Sequence, residues 1–210
     1  MRFVKKLYTL LNYFAQKPFV YVVMGDSSAE GIGASDHGKS FGALIAEEIK
    51  KQKRNTVYRN FGKAGATIHD VINSQLKKTL FINPQLVVIS VGFNDIKKGR
   101  RMSAFERDFS FLLEKLSHTG ARVYVCGIPD THLARRIPKV IKPYVAVRTR
   151  QCNDVIERLS KKHGATYIDL YTVIKALRAN KDIISSDGLH PSDVGYAAWA
   201  TEVISHLELP

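Results

Sequence analysis

Five short apolar runs, each rich in Val, Ile or Tyr and each followed by a longer stretch at helical spacing, constrain the fold of this chain most. They cover residues 19–24, 56–60, 86–91, 122–126 and 166–169. Most are apolar on both faces, as strands are when helices cover both sides of a sheet. The intervening segments read as helices. Residues 41–53 carry Leu44, Ile45 and Ile49. Residues 68–80 follow a cap at Thr67, with Asp70 three positions later. Residues 103–118 open on a Ser103/Glu106 capping box, run along Phe105, Phe109, Leu112, Leu113 and Leu116, and stop at Gly120. Residues 147–163 end at Gly164 in the same way, and residues 193–207 follow Pro191 and Ser192. Strand and helix alternating five times predict an α/β fold with a parallel sheet between two helical layers. In such sheets functional groups collect at the C-terminal ends of the strands.

With 210 residues, 45% of them hydrophobic, the chain can bury one full core. No apolar run approaches the ~18 residues of a membrane span. Two cysteines make no disulfide framework. Cys126 falls in a strand-like run and Cys152 on an apolar helix face, so both read as small core residues. A reducing, cytoplasmic setting fits, and export stays open. Residues 1–17 repeat Phe3, Val4, Leu7, Leu10, Leu11 and Phe14 at helical spacing, broken by Arg2, Lys5, Lys6 and Asn12. That predicts an N-terminal amphipathic helix, docked on the body or, as the second reading, lying on a membrane surface.

The net charge is +13. It favours anionic partners: nucleic acid, acidic lipid surfaces or anionic substrates. Its dispersal fits plain solubility equally well. Local clusters occur at Lys50–Arg54, at Lys97–Arg101 and at Arg135-Arg136. None coincides with an aromatic stacking platform or a nucleic-acid-reading motif, so no nucleic acid is expected. Contact of basic residues with an anionic surface or membrane interface remains an expectation. Residues 131–145 form the longest poorly patterned stretch. It holds Arg135, Arg136, Lys139 and Lys142, and reads as a loop flanking the site.

Four blocks sit where such a sheet would bring them to one edge. Gly25-Asp26-Ser27-Ser28 follows the first strand, so Ser27 presents a hydroxyl at a strand end. Asp187-Gly188-Leu189-His190 supplies an imidazole to take its proton and a carboxylate, Asp187, to orient and stabilise the ring. Asn60–Thr67, after the second strand, holds Gly62 and Gly65, whose backbone N–H groups can point at a developing oxyanion. Gly92-Phe93-Asn94-Asp95, after the third, offers the Asn94 amide to the same oxyanion. Alone, each block reads as a turn or cap; their convergence carries the argument. Asp26, Asp95 and Asp130 lie near strand ends and read as hydrogen-bonding residues around the site. His37, His69, His118, His132, His163 and His206 are scattered and read as surface or capping residues, so no metal and no cofactor are expected.

From Gly25 to Pro191 the chain resembles the GDSL/SGNH hydrolases, a family of esterases and lipases. Ser27, Gly65, Asn94 and His190 match the family's four marks, and Ser28 stands where its motif usually has Leu. The resemblance implies that Ser27 is the nucleophile and that Asp187 and His190 complete a triad. It implies three oxyanion donors: the Ser27 N–H, the Gly65 N–H and the Asn94 side chain. Gly65 is preferred to Gly62 by its spacing to Thr67. It also implies a three-layer α/β/α sandwich of flavodoxin type with a five-stranded parallel sheet, residues 18–210 forming one such hydrolase domain. The expected reaction is acyl transfer from a small-molecule or lipid ester through an acyl-enzyme.

Two rivals share these residues. Gly33-Ala34-Ser35-Asp36-His37-Gly38-Lys39-Ser40 satisfies the phosphate-binding-loop pattern of nucleotide triphosphatases, but it begins well after the strand ends. The α/β-hydrolases share the order Ser, Asp, His, yet their Gly-x-Ser-x-Gly elbow needs a second Gly that Ala29 replaces. A basic anion-binding or nucleic-acid-binding module, with the triad unused, is the non-enzymatic reading.

Overall fold

A computed structural model describes residues 17–209. The expected N-terminal amphipathic helix lies, apart from Lys17, outside them. The chain runs β1 (Phe19–Gly25), α1 (Ser27–Glu30), α2 (Phe41–Gln52), β2 (Thr56–Asn60), α3 (Ile68–Val71), a π-helical segment (Ile72–Leu76), α4 (Lys77–Ile82) and β3 (Leu86–Ser90). It continues through α5 (Phe93–Lys97), α6 (Met102–Ser117), β4 (Arg122–Cys126), α7 (Lys142–Lys162), β5 (Thr166–Ile168), α8 (Leu170–Ala176) and α9 (Asp193–Ser205).

All pairings are parallel and the strand order is β2-β1-β3-β4-β5, the flavodoxin-type order. Successive side chains of a strand face opposite sides, so the sheet feeds two cores. Val22, Met24, Val87, Ile89, Val123 and Val125 pack on one side with α3, α6 and α7. Tyr21, Val23, Val88, Tyr124, Cys126 and Ile168 pack on the other with α2, α8 and α9. The second layer is closed by Phe41 of α2 against Tyr196 and Trp199 of α9, with ring centroids 6.1 and 5.7 Å apart. The sheet is a layer between two layers of helices, as the alternation predicted. Burial pushes the Cys126 and Cys152 thiols up to about 12, as fits core residues.

Local details depart from the pattern. The Thr67/Asp70 capping box is present, but the Ser103/Glu106 box is not. Helix α6 begins one residue earlier, at Met102, and its cap Arg101 makes no side-chain bond. Glu106 is instead engaged by Arg158 of α7 at 2.8 Å. The continuous helix expected over residues 68–80 contains the π-helical turn, whose extra residue turns Gln75 inward to 2% exposure. The loop expected over 131–145 is shorter, because α7 begins at Lys142 rather than Val147. Pro143 sits in its first turn, where a missing N–H costs nothing. The strand expected over 166–169 ends at Ile168, and Asp169 caps α8 through Thr172 N–H at 3.1 Å.

On α6, Phe109 is fully buried and Phe111 is 42% exposed. Phe109→Ala should therefore lower unfolding free energy by about 3–5 kcal/mol. Phe111→Ala should stay within about 0.5 kcal/mol of wild type. Urea unfolding of the two variants checks the facing of this helix.

Candidate active site

The strand order reverses between β1 and β3, and such a switch point opens a crevice beyond the strand ends. Ser27 follows β1 and Asn94 follows β3, so both enter this crevice. The turn out of β1 is tightly determined. Gly25 has φ +142°, and a Cβ there would lie 1.8 Å from the Ser90 carbonyl oxygen, so no other residue fits. The Gln75 side chain clamps the same residue. Its Oε1 accepts the Gly25 N–H at 2.8 Å and its Nε2 donates to the Gly25 carbonyl at 2.8 Å. Asp26 N–H donates to Ser90 O at 3.0 Å, and the Asp26 carboxylate caps α1 by accepting Ser28 N–H at 3.0 Å. Ser27 thus opens a helix, with its N–H free of any hydrogen-bonded partner among the described residues.

The partner imidazole comes from a self-braced turn. An Ile184–Pro191 bridge closes it, Ser185 N–H donates to His190 O at 2.9 Å, and Gly188 turns at φ +74°. Within it Asp187 Oδ1 accepts the Ser185 hydroxyl (2.8 Å), Leu189 N–H (2.8 Å) and His190 N–H (3.0 Å). Asp187 Oδ2 lies 2.5 Å from His190 Nδ1, and His190 Nε2 lies 3.0 Å from Ser27 Oγ. Partial burial alone would raise the Asp187 pKa. The bonds from His190, Leu189 and Ser185 outweigh it and hold the carboxyl well below the ordinary range. An ionised Asp187 accepts the Nδ1–H hydrogen bond, which favours the ring tautomer whose Nε2 can accept from the Ser27 hydroxyl.

Gly65 and Asn94 stand on the other side of Ser27. Gly65 has φ +78° with open space where a Cβ would point, and its N–H has no partner among the described residues. Gly62 plays a different part. A Cβ there would lie 2.4 Å from the Glu30 nitrogen, so this glycine permits close packing on α1. Asn94 is 8% exposed and donates one amide hydrogen to Ala66 O at 3.1 Å, which leaves the other for a ligand. Asp95 then locks the two loops together. Its Oδ2 accepts Ile68 N–H at 3.0 Å, and its Oδ1 accepts Arg100 at 3.0 Å, which also reaches Asp108 at 2.6 Å. Burial raises the Asp95 pKa, against the pull of Arg100. Complete burial, helped by the neighbouring Asp95 charge and opposed by the Ser28 N–H, pushes Asp26 up to about 7.

Ser27, Gly65, Asn94 and His190 all line one cavity of about 530 Å³. Its remaining wall is mostly apolar, with Phe93, Ile128, Ile137, Ile174, Ile184 and Leu189 prominent. Arg136 also reaches this wall, its N–H donates to Gly188 O at 3.0 Å, and Arg135 donates to Ser185 O at 3.2 Å. The basic segment therefore borders the His190 turn. Asp130 accepts His132 N–H and pairs with Arg178 at 2.5 Å. Three of the remaining histidines, His118, His163 and His206, sit at helix C-caps. Among the described residues no group of three His, Cys, Asp or Glu could hold a metal ion. None of the described helices is long and apolar enough to cross a membrane.

The segment that matches a phosphate-binding loop is used otherwise. It begins at Gly33, eight residues past the end of β1. Ser35 bonds Asp193 through its N–H (2.8 Å) and hydroxyl (2.7 Å), and Lys39 pairs with the same carboxylate at 2.9 Å. Gly33 lets the loop lie against Pro191 and His190. Ser185, Gln75 and Arg100 have no counterpart in the sequence reading. Gln75 acts on a residue fifty positions away, whereas Ser185 and Arg100 act on near neighbours in the chain, and only the Ser185-x-Asp187 spacing could have pointed to one of the three.

Residues 23–198 match the GDSL-like Lipase/Acylhydrolase family, and the chain belongs to this family of ester hydrolases. It is 26% identical over 185 residues to a GDSL-like esterase of Mycobacterium tuberculosis, covering 85% of this chain but only 58% of that protein. It is 22% identical to the spore germination lipase LipC of Bacillus licheniformis, covering 87% of this chain and 93% of LipC. Among solved structures, a catalytic mutant of the acetylxylan esterase Axe2 of Geobacillus stearothermophilus superposes with a TM-score of 0.74 at 13% identity, over 91% of this chain and 95% of that one. A lipase/acylhydrolase of Enterococcus faecalis gives 0.70 at 24% identity, over 89% and 93%. At these identities the two structures establish the shared fold.

Asp26 carries a pH signature. Its folded pKa near 7 lies above the unfolded value near 3.8, so ionising the unfolded chain draws stability away as pH rises between these values. Asp26→Asn keeps an oxygen to cap Ser28 and removes the ionisation. It should be more stable than wild type by about 2–4 kcal/mol at pH 8, with the gap closing toward pH 4. Urea unfolding across that range measures the difference.

Proposed function

We propose that the protein hydrolyses carboxylic esters with an apolar acyl group through a Ser27-His190-Asp187 triad. The observation that carries this reading is the chain of contacts at the cavity wall: Ser27 Oγ to His190 Nε2 at 3.0 Å, and His190 Nδ1 to Asp187 at 2.5 Å. Ser27 Oγ attacks the ester carbonyl while Nε2 takes its proton, and Asp187 stabilises the resulting imidazolium. The tetrahedral oxyanion is received by the N–H groups of Ser27 and Gly65 and the free amide hydrogen of Asn94. His190 then protonates the departing alcohol, leaving an acyl-enzyme at Ser27. Water, deprotonated by the same Nε2, attacks that ester, and the acid departs with the Ser27 hydroxyl restored. The acyl chain lies along the apolar wall, and the cavity volume of about 530 Å³ suits a chain longer than acetyl.

A fluorophosphonate should label the protein at Ser27, located by mass mapping, and should not label Ser27→Ala. Ser27→Ala should lower kcat on p-nitrophenyl esters by roughly 10⁴–10⁶-fold. Labelling at another residue, or full turnover by Ser27→Ala, would overturn the reading.

Asn94→Ala should lower kcat about 10²–10³-fold with KM little changed, as fits a donor used mainly in the transition state. Across straight-chain p-nitrophenyl esters, kcat/KM should rise about threefold to fourfold per added methylene until the cavity is filled. Steady-state kinetics on a series of graded chain length measures both effects.

A further inference from the structure

We propose that the mouth of this cavity docks on an anionic lipid surface, from which the ester is drawn. The proposal rests on the esterase reading for the second clause only. The mouth is edged by a short 3₁₀ turn, Lys139–Ile141, and the start of α7. Four large apolar side chains stand out from it: Val140 is 85% exposed, Tyr144 53%, Ile141 45% and Val147 45%. Positions 140, 144 and 147 follow helical spacing, so they form one stripe rather than scattered surface residues. Ile141 and Tyr144 also line the cavity, which makes the apolar stripe continuous with its interior.

The charge around the stripe has one sign. From residue 131 to 153 the chain carries six basic residues and no Asp or Glu. Lys142 is occupied by His132 O at 2.7 Å, and Arg148 by Arg100 O at 2.8 Å. Arg136, Lys139 and Arg150 form no ion pair with any described residue. Lys97, on α5, also borders the cavity. Exposed apolar groups among cations match what an anionic bilayer presents, acidic headgroups above apolar chains. A protein partner would need its own acidic rim and apolar centre, and would cover the opening that an ester must enter.

Co-sedimentation of the full chain with vesicles tests this, using phosphatidylcholine with roughly 30% phosphatidylglycerol against phosphatidylcholine alone. Binding to the anionic vesicles should be at least about tenfold tighter and should fall as salt rises to about 0.5 M. Val140→Asp with Val147→Asp should weaken it about tenfold or more. Lys139→Glu with Arg150→Glu should weaken it about fivefold or more per site. None of these four residues lines the cavity, so turnover of a soluble short-chain p-nitrophenyl ester should be retained and reports folding. Should the aspartate pair lose that turnover, the glutamate pair decides by the same criterion. Ser27→Ala should bind vesicles as wild type does, so failure of the esterase reading leaves the docking surface separately measured. Equal binding to both vesicle types, or unchanged binding by the variants, would overturn the proposal. So would a shift from dimer to monomer in the aspartate pair without vesicle binding, which would assign the stripe to a second copy of the chain.

Discussion

The arrangement of the site depends on the close approach of Gly25 to Ser90 at the ends of the two central strands. β1 must leave the sheet there, and the space for a side chain is already taken by the Ser90 carbonyl. Lys63 N–H still reaches the Gly25 carbonyl at 3.1 Å, and Gln75, from a helix fifty residues away, engages both the N–H and the carbonyl of the same residue. The π-helical turn places Gln75 to do so. Ser27 therefore emerges from a backbone held on both its N–H and its carbonyl, next to the loop that presents Asn94. If Ser27 acts as the proposed nucleophile, this rigidity serves it, because misplacement by about an ångström can cost two orders of magnitude in rate.

Charge is sorted around that turn by solvation and hydrogen bonding. Asp187 and Asp26 flank the same serine yet are pushed in opposite directions. Asp187 has three donors on one oxygen and the imidazole on the other. Asp26 has a single N–H on its carboxylate and complete burial. The first is kept ionised and holds the His190 ring through Nδ1. The second acts as a helix cap, and its charge is disfavoured beside Asp95. Arg100 keeps Asp95 and Asp108 compatible with burial, and through Asp95 it fixes the Asn94 loop against the start of α3.

The sheet was legible because its strands are buried on both faces, which leaves runs such as Leu86-Val87-Val88-Ile89 with no polar position to confuse their period. The long helices followed from their stripes. The short helices α1, α5 and α8 were not foreseen, since four to seven residues carry too little periodicity and are held by caps such as Asp26 and Asp169. The Ser103/Glu106 box looked sound locally but lost to a tertiary contact, the Arg158–Glu106 pair. Ser27 and Asn94 were legible as residues that follow converging strand ends of a parallel sheet, whereas Asp187 and His190 follow no strand and were singled out by their spacing and the family resemblance. Gly65 was favoured over Gly62 by spacing alone. The distinction becomes physical only in three dimensions, where Gly62 is packed against α1 and Gly65 faces the cavity. Gln75 and Ser185 support their neighbours without any motif of their own.

The His190 turn is nearly complete in itself. Between the Ile184–Pro191 bridge and the Ser185 brace, every bond that orients the ring comes from within a stretch of eight residues. The His190–Asp187 pair is therefore a portable module, assembled whether or not the Ser27 hydroxyl is in place. The alignment of hydroxyl and ring rests on the seam where this module meets the end of β1, and a drift along that seam would separate the two while leaving the tautomer intact.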